Sequence, residues 1–370
     1  MTAAFALGLL RRVRASNRSQ PFVSVVVAAR NEEDFIAACL ESLSNQTYPT
    51  DCYEIIVVDD DSTDRTREIV EEFEQVRCLK PSPEYAAFAA KKRPMATGVS
   101  HASGELILTT DADCTVPETW IETIVSHFEP AVSVVTGYSR MAPVASGLVH
   151  RFQAFDFFTL LAAAAGSAGL GRAWAATGQN LAYRRNLYDR IGGFSRISTR
   201  PSGDDVLLLQ LFRQAGARIS FCLDQGGHVT TWRSESLRGL INQRKRWASN
   251  AVVQLRLNPF FFAYITSVFV VNLLPVLALV LKGPLITLCL TIWCLRACVD
   301  ASVVWLAARR LGTSPPLTFF PIWLLLQIPY VLIVGIGSLF GFDWKNRNHV
   351  AKRTLPIPSQ EQPDANHVTM

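Results

Sequence analysis

Gly104-Glu-Leu-Ile-Leu-Thr-Thr-Asp-Ala-Asp113 is the stretch on which the fold turns. Its apolar and β-branched run, from Glu105 to Thr110, predicts a strand that stops at the acidic triplet Asp111-Ala-Asp113. Two similar runs lie upstream. Val23-Ser-Val-Val-Val27 ends at Ala28-Ala-Arg-Asn-Glu32 and is followed by helical spacing from Asp34 to Leu43. Glu54-Ile-Ile-Val-Val58 ends in Asp59-Asp-Asp-Ser-Thr-Asp64 and leads into a helix from Arg65 to Phe73, with Ser62 or Thr63 expected as its N-cap. Strands without polar interruption, alternating with helices, predict an α/β fold with a mainly parallel sheet flanked by helices. Ligands of such sheets bind beyond the carboxyl ends of the strands. All three acidic clusters fall there.

Charge is distributed unevenly. Nearly all acidic residues precede about residue 240, whereas Pro259 to Phe342 is dense in Leu, Val, Ile and Phe. Three apolar segments, roughly 258–281, 284–308 and 317–341, are each long enough for a hydrocarbon core of about 30 Å. The expected organisation is therefore an apolar and basic N-terminal segment (1–20), interfacial in character, a catalytic α/β domain (21–250), an all-α transmembrane region (251–342) and a basic, disordered tail (343–370). Arg238, Arg244, Lys245, Arg246 and Arg256 crowd the approach to the first apolar segment. By the positive-inside rule they place the preceding domain on the cytoplasmic side of a multi-pass cell-membrane protein. Three crossings would put Lys345, Arg347, Lys352 and Arg353 on the far side, against the same rule, unless one segment is re-entrant or the N-terminal run completes the set. A net charge of +5 with scattered Lys and Arg argues against nucleic acid and for anionic lipid as the partner. The eight Cys form no CxxC pair and no zinc spacing, so they read as isolated thiols.

Two carboxylates one residue apart at a strand end, Asp111 and Asp113, can turn toward one divalent ion, Mg2+ or Mn2+. Asp59, Asp60 and Asp61 repel one another; Ser62 and Asp64 serve the turn and helix start, and Asp60 is the candidate for holding a base or ribose. Gln243, Arg246 and Trp247 stand at i, i+3 and i+4 and share one helix face. On residues alone that helix is a basic juxtamembrane element.

Taken in order, Val26-Val-Ala-Ala-Arg-Asn-Glu32, Ile56 to Asp64, Gly104 to Asp113, Gly203-Asp-Asp-Val-Leu-Leu208 and Gln243-Arg-Lys-Arg-Trp247 resemble the motif series of the family-two inverting glycosyltransferases, of the branch with the QxxRW signature. The resemblance covers about residues 21 to 250 and implies a GT-A-type fold. It also implies roles. Ala28, Arg30 and Glu32 would line the nucleotide pocket, Asp60 would contact the base, and Lys91 would approach the nucleotide, although the family's preceding glycine is Ala90 here. Asp111 would hold ribose or donor sugar and, with Asp113, the metal. Asp205 matches the second acid of the family's Glu-Asp pair and would be the general base, taking the proton of an attacking hydroxyl; Asp204 replaces the usual Glu. Asp205 also precedes the helical stretch Val206 to Phe212, where an acid suits the helix dipole. Gln179 and Asn180 correspond to a segment near the acceptor, and Gln243, Arg246 and Trp247 would meet diphosphate and acceptor.

The expected function is transfer of a sugar from a nucleoside-diphosphate sugar, uridine-linked, to a lipid-like acceptor. Phe152 to Leu161 is placed to guide the acceptor from the bilayer, unless it is an ordinary core helix. A polysaccharide synthase subunit and a non-enzymatic membrane scaffold are the alternatives. Arg296 and Asp300, four apart in the second apolar segment, are expected to pair. His228 is left outside the metal set.

Overall fold

The computed structural model describes residues 2–11, 13, 15–143, 147–313 and 317–340, together with the backbone of 342–344 and 347–349. In chain order the first half comprises α1 (Thr2–Leu10), β1 (Val23–Ala29), α2 (Ile36–Ser44), β2 (Tyr53–Asp59), α3 (Thr66–Glu71), β3 (Val76–Leu79), α4 (Lys92–His101), β4 (Leu106–Asp111), β5 (Cys114–Thr115), α5 (Trp120–Ser126), β6 (Val132–Gly137) and β7 (Ser139–Met141). There follow α6 (Leu148–Gly169), β8 (Leu181–Arg184), α7 (Arg185–Arg190), α8 (Val206–Gln214), β9 (Arg218–Cys222), β10 (Val229–Thr231), α9 (Leu237–Ala248), α10 (Ala251–Leu257), α11 (Pro259–Ala278), α12 (Pro284–Arg310) and α13 (Phe320–Gly337). A short ribbon pairs Phe342–Trp344 with Arg347–His349. Met1, Arg12, Arg14 and the rest of the basic tail, including Lys345, Lys352 and Arg353, lie outside the described residues.

Seven strands form one sheet in the order β3-β2-β1-β4-β8-β6-β9. All neighbours are parallel except β8, which runs against both β4 and β6. Side chains of β1 point alternately to two cores: Val23, Val25 and Val27 toward α2 and α5, Val26 toward α4 and α6. That two-sided burial is why the run carries so few polar residues. Gly98 lets α4 settle against β1, because a Cβ there would strike Val26. Register aligns Ala28 with Asp111 and Ala29 with Asp59, so the three strands deliver their carboxyl ends side by side.

The expected N-cap at Ser62 or Thr63 is corrected. Ser62 Oγ accepts from the Asn31 N–H at 3.0 Å, and Thr63 donates its N–H to Asn31 Oδ1 at 2.8 Å, which ties the β2 loop to the β1 loop. Asp64 serves the turn as expected, accepting from Thr66 N at 3.0 Å and its hydroxyl at 2.6 Å. Ala90, where the family pattern has glycine, sits at φ +56°. A Cβ in that left-handed region costs about 1–2 kcal/mol, partly offset by the greater freedom of glycine in the unfolded chain. Ala90→Gly is therefore expected to stabilise the protein by about 0.5–1 kcal/mol, seen as a raised melting temperature; a fall would contradict the strain.

The helices Pro259–Ala278 and Pro284–Arg310 and the span Leu317–Gly337 are each long and apolar enough to cross a membrane. Within the second, Arg296 and Asp300 pair at 2.9 Å as expected. The N-terminal apolar run is α1, which packs on α6 and α12 with Phe5 and Leu9 buried and Leu7 and Leu10 outward. Its crossing with α6 is glycine on glycine: a Cβ on Gly8 would collide with the Gly166 carbonyl, and one on Gly169 with the Gly8 carbonyl. Such small-residue contacts allow backbones to approach closely. Gly166→Leu is expected to displace α1, exposing the connector at residues 15–20 to limited proteolysis; an unchanged digestion pattern would count against the contact.

Candidate functional site

The strand ends open onto a cavity of about 810 Å3 that runs from Arg30 and Asp60 past Asp111, Asp113, Asp204 and Asp205 to α11, α12 and α13. Ala28, Glu32, Lys91, Gln179, Gln243, Arg246 and Trp247 also line it. The sequence candidates therefore converge on one space, with one exception. Asn180 faces the opposite way: its Oδ1 accepts from Trp120 Nε1 at 3.2 Å and its Nδ2 donates to the carbonyls of Tyr138 (3.0 Å) and Gly227 (2.7 Å). Fully employed in holding α5 and the β6 end together, it is corrected from acceptor contact to scaffold.

At the outer end, Arg30 Nη1 donates to the Asp60 carbonyl at 2.9 Å and lies 3.6 Å from its carboxylate. Arg93, which the sequence did not single out, sits 3.7 Å from Asp60 and 3.2 Å from Asp61. Asp60 is thus fixed between two cations in the cavity lining.

Lys91 pairs with Asp111 and lies 3.9 Å from Asp204. Burial opposes its charge, but the two carboxylates outweigh burial and hold it above the usual lysine range. Burial likewise opposes the charge of Asp204, yet Lys91, Lys92 and Arg246 keep its carboxyl below the usual range. Lys92 is structural: its Nζ donates to the carbonyls of Arg200 (2.8 Å) and Ser202 (3.2 Å), fixing the loop before Asp204, and burial lowers its pKa to about 8.

Asp205 is the N-cap of α8. Its Oδ1 accepts from Val206 N at 2.6 Å and Oδ2 from Gly178 N at 3.1 Å, so helix capping and orientation into the cavity coincide. Burial first and the adjacent Asp204 charge second push its pKa up to about 6. A buried carboxylate in that range suits a base working near neutrality.

Asp113 shows what the sequence missed most. Arg233 Nε donates to Asp113 Oδ2 at 3.1 Å, and Arg233 Nη2 also pairs with Glu32. The cause is topological: β10 pairs antiparallel with β5, Thr231 against Cys114, which carries the next residues back over the acidic triplet. Asp113 is raised by burial and by the negative charge of Asp111. Two carboxylates one residue apart, each half-buried and each drawing in a cation, Lys91 for Asp111 and Arg233 for Asp113, fit a cation-binding pair. Cys114 Sγ is near Asp113 at 3.4 Å, but burial holds its thiol protonated, so the hard oxygen donors are the ones suited to Mg2+ or Mn2+.

On α9 the predicted shared face is present, with Gln243, Arg246 and Trp247 all turned to the cavity. Arg244 corrects the picture of a uniformly basic juxtamembrane helix. It is buried, 2.9 Å from Asp156 of α6, donates to Tyr330 of α13 at 2.9 Å and lies 4.1 Å over the Trp247 ring. This knot joins the sheet domain to the apolar helices. Phe157, Leu160 and Leu161 of α6 line the same cavity, while Phe152, Phe155 and Phe158 are buried in the apolar core, the alternative role named for that segment. His228 is packed against Tyr138, outside the cavity lining, and burial lowers its pKa to about 4.

A mainly parallel sheet whose acidic strand ends face such a cavity defines the GT-A fold. Mannosyltransferase PcManGT from Pyrobaculum calidifontis, solved in complex with GDP-Man and Mn2+, has the same fold at TM-score 0.55 and 19% identity, over 92% of this chain and 99% of that one. Residues 24–192, a little under half of the chain, match the family model described as Glycosyl transferase family 2. Among curated proteins it is 29% identical to glycosyltransferase AglE of Haloferax volcanii over 55% of this chain and 65% of that protein. It is 28% identical to the beta-monoglucosyldiacylglycerol synthase of a Nostoc species over 62% of this chain and 49% of that protein. The chain thus spans between about half and two thirds of the length of these relatives.

Proposed function

We propose that the protein is an inverting glycosyltransferase that moves a sugar from a nucleoside diphosphate to a hydroxyl of a lipid-like acceptor held among its apolar helices. The observation that carries this is the single cavity: its acidic end suits a sugar nucleotide and its other end lies between α11, α12 and α13. Relatives named for glucosyldiacylglycerol synthesis and a fold neighbour holding GDP-Man support the two halves separately.

In this reading Ala28, Arg30, Glu32 and Asp60 hold the nucleoside, and Lys91 and Asp111 position the ribose and sugar. A divalent cation bound by Asp111 and Asp113 would neutralise diphosphate charge. Asp205 takes the proton of the acceptor hydroxyl as its oxygen bonds to the anomeric carbon and the bond from that carbon to the diphosphate oxygen breaks. Attack from the face opposite the leaving group inverts the configuration. Arg246, within electrostatic reach of Asp111, Asp204 and Asp205, meets the charge that develops on the diphosphate. Trp247 offers the acceptor an apolar wall, and Gln179 and Gln243 offer it polar contacts. The sheet domain faces the cytoplasm, with Arg238, Lys245 and Arg256 toward anionic headgroups.

Membranes containing the protein, incubated with radiolabelled UDP- and GDP-sugars, are expected to yield label extractable into organic solvent and free nucleoside diphosphate. Label confined to a water-soluble polymer would point to the synthase alternative, and intact donor after prolonged incubation would defeat the transferase reading.

A further inference from the structure

Gln254, on α10, is 1 % exposed, and among the described residues neither the Nε2 nor the Oε1 of its amide has a hydrogen-bond partner. Its backbone is ordinary, the N–H donating to the Asn250 carbonyl at 3.3 Å. A buried primary amide with no partner is costly, and native proteins keep few of them. This one lines the cavity.

Its position explains what the amide is for. One turn back, Asn250 Nδ2 donates to Ser202 Oγ at 3.2 Å and its Oδ1 accepts from Arg200 Nε at 3.2 Å, which joins α10 to the loop that ends in Asp204 and Asp205. Beyond it the cavity is lined by the apolar side chains of Trp174, Phe261, Ile265 and Val268 and reaches the paired Arg296 and Asp300. Gln254 therefore stands where the carboxylate end gives way to the apolar arm. That is where the polar end of an amphipathic molecule would rest.

We infer that Gln254 is an acceptor-binding residue whose amide holds a hydroxyl of the acceptor; the inference rests on the reading of this cavity as an acceptor site. The ligand class follows from the inventory of the group. A primary amide presents two donors and an accepting oxygen, and a hydroxyl both donates and accepts, so each can satisfy the other. An ether or an ester offers only acceptors and leaves Oε1 unpaired; a hydrocarbon satisfies neither atom. The acceptor is thus a long-chain alcohol or a lipid with a free hydroxyl near its polar end, and Gln254 sets that hydroxyl beside the Asp205 loop.

The test uses the full chain in lipid nanodiscs, with tritiated hexadecan-1-ol displaced by unlabelled hexadecan-1-ol or by its methyl ether. Wild type is expected to prefer the alcohol by about fivefold to tenfold, the size of one hydrogen bond to a neutral group. Gln254→Met and Gln254→Leu are expected to abolish that preference while leaving UDP- and GDP-sugar binding unchanged. A structural glutamine would lower the melting temperature when removed. Here the ligand-free variants are expected to melt at the wild-type temperature or about 2 °C above it, since an unpaired amide has gone. No alcohol preference in wild type, a preference that survives both variants, or melting lowered by more than about 5 °C in both would overturn the inference. None of these readings needs turnover, so absence of sugar transfer would sink the transferase proposal and leave this one to its own result.

Discussion

Asp205→Asn is expected to lower turnover by about 10²- to 10⁴-fold while sugar-nucleotide affinity stays within about twofold. Asparagine is as good an N-cap as aspartate, so α8 keeps its start, with the side-chain carbonyl able to accept from Val206 N. The amide NH2 cannot accept from Gly178 N, which costs about 1 kcal/mol, but the like charge beside Asp204 is relieved. What is lost is proton acceptance. The same group sets a pH limb: a base whose pKa is raised to about 6 must be deprotonated to act, so turnover is expected to fall as pH drops through about 6. The limb should vanish in Asp205→Asn. A variant with wild-type turnover, or one that keeps the acid limb, would remove Asp205 from the proton-transfer step.

Asp113→Ala is expected to remove metal-dependent donor binding, with Mn2+ affinity falling by about 10²-fold or more, because a single remaining carboxylate makes a poor site. Calorimetry with Mn2+ alone and then with donor measures both. The contact to Arg233 supplies a second variant with the opposite sign. Its guanidinium competes for the Asp113 oxygen that a metal would use, so Arg233→Gln is expected to tighten Mn2+ binding by several-fold. Weaker Mn2+ binding in Arg233→Gln would show that the arginine assembles the site instead of competing for it. Unchanged donor binding in Asp113→Ala would refute the metal assignment.

Much of this was legible in the chain because the parallel strands are short, uninterrupted and terminated by charge. Val23 to Val27, Glu54 to Val58 and Glu105 to Thr110 each announce both a strand and the place where it ends, and sheet register then brings Ala28, Asp59 and Asp111 together without further information. The i, i+3, i+4 face of α9 was equally readable. Contacts made by antiparallel returns and long-range side-chain pairs were not. Arg233 reaches Asp113 through a strand of three residues, too short to register as a pattern. Arg244 looks like any juxtamembrane arginine until Asp156, 88 positions earlier, is placed against it. Asn180 shares a segment with Gln179, and only the direction of its side chain separates scaffold from cavity. Gln254 carries no motif at all; its signal is the absence of a partner, which exists only in three dimensions.

The docking of α1 has a bearing on how the molecule is made. Phe5 of α1 and Val303 of α12 both border the cavity, and Arg310 donates to the Arg11 carbonyl across 299 positions of chain. At about 5–20 residues per second on the ribosome, the first helix waits roughly 15 to 60 seconds for the partner that completes its seat. Until then α1 can rest on α6 through Gly8 and Gly166, but it has no α12 beside it and the chamber lacks a wall. The chamber is therefore whole only once α12 has been made, and a polypeptide cut short of Val303 would carry every strand-end carboxylate without the space they face.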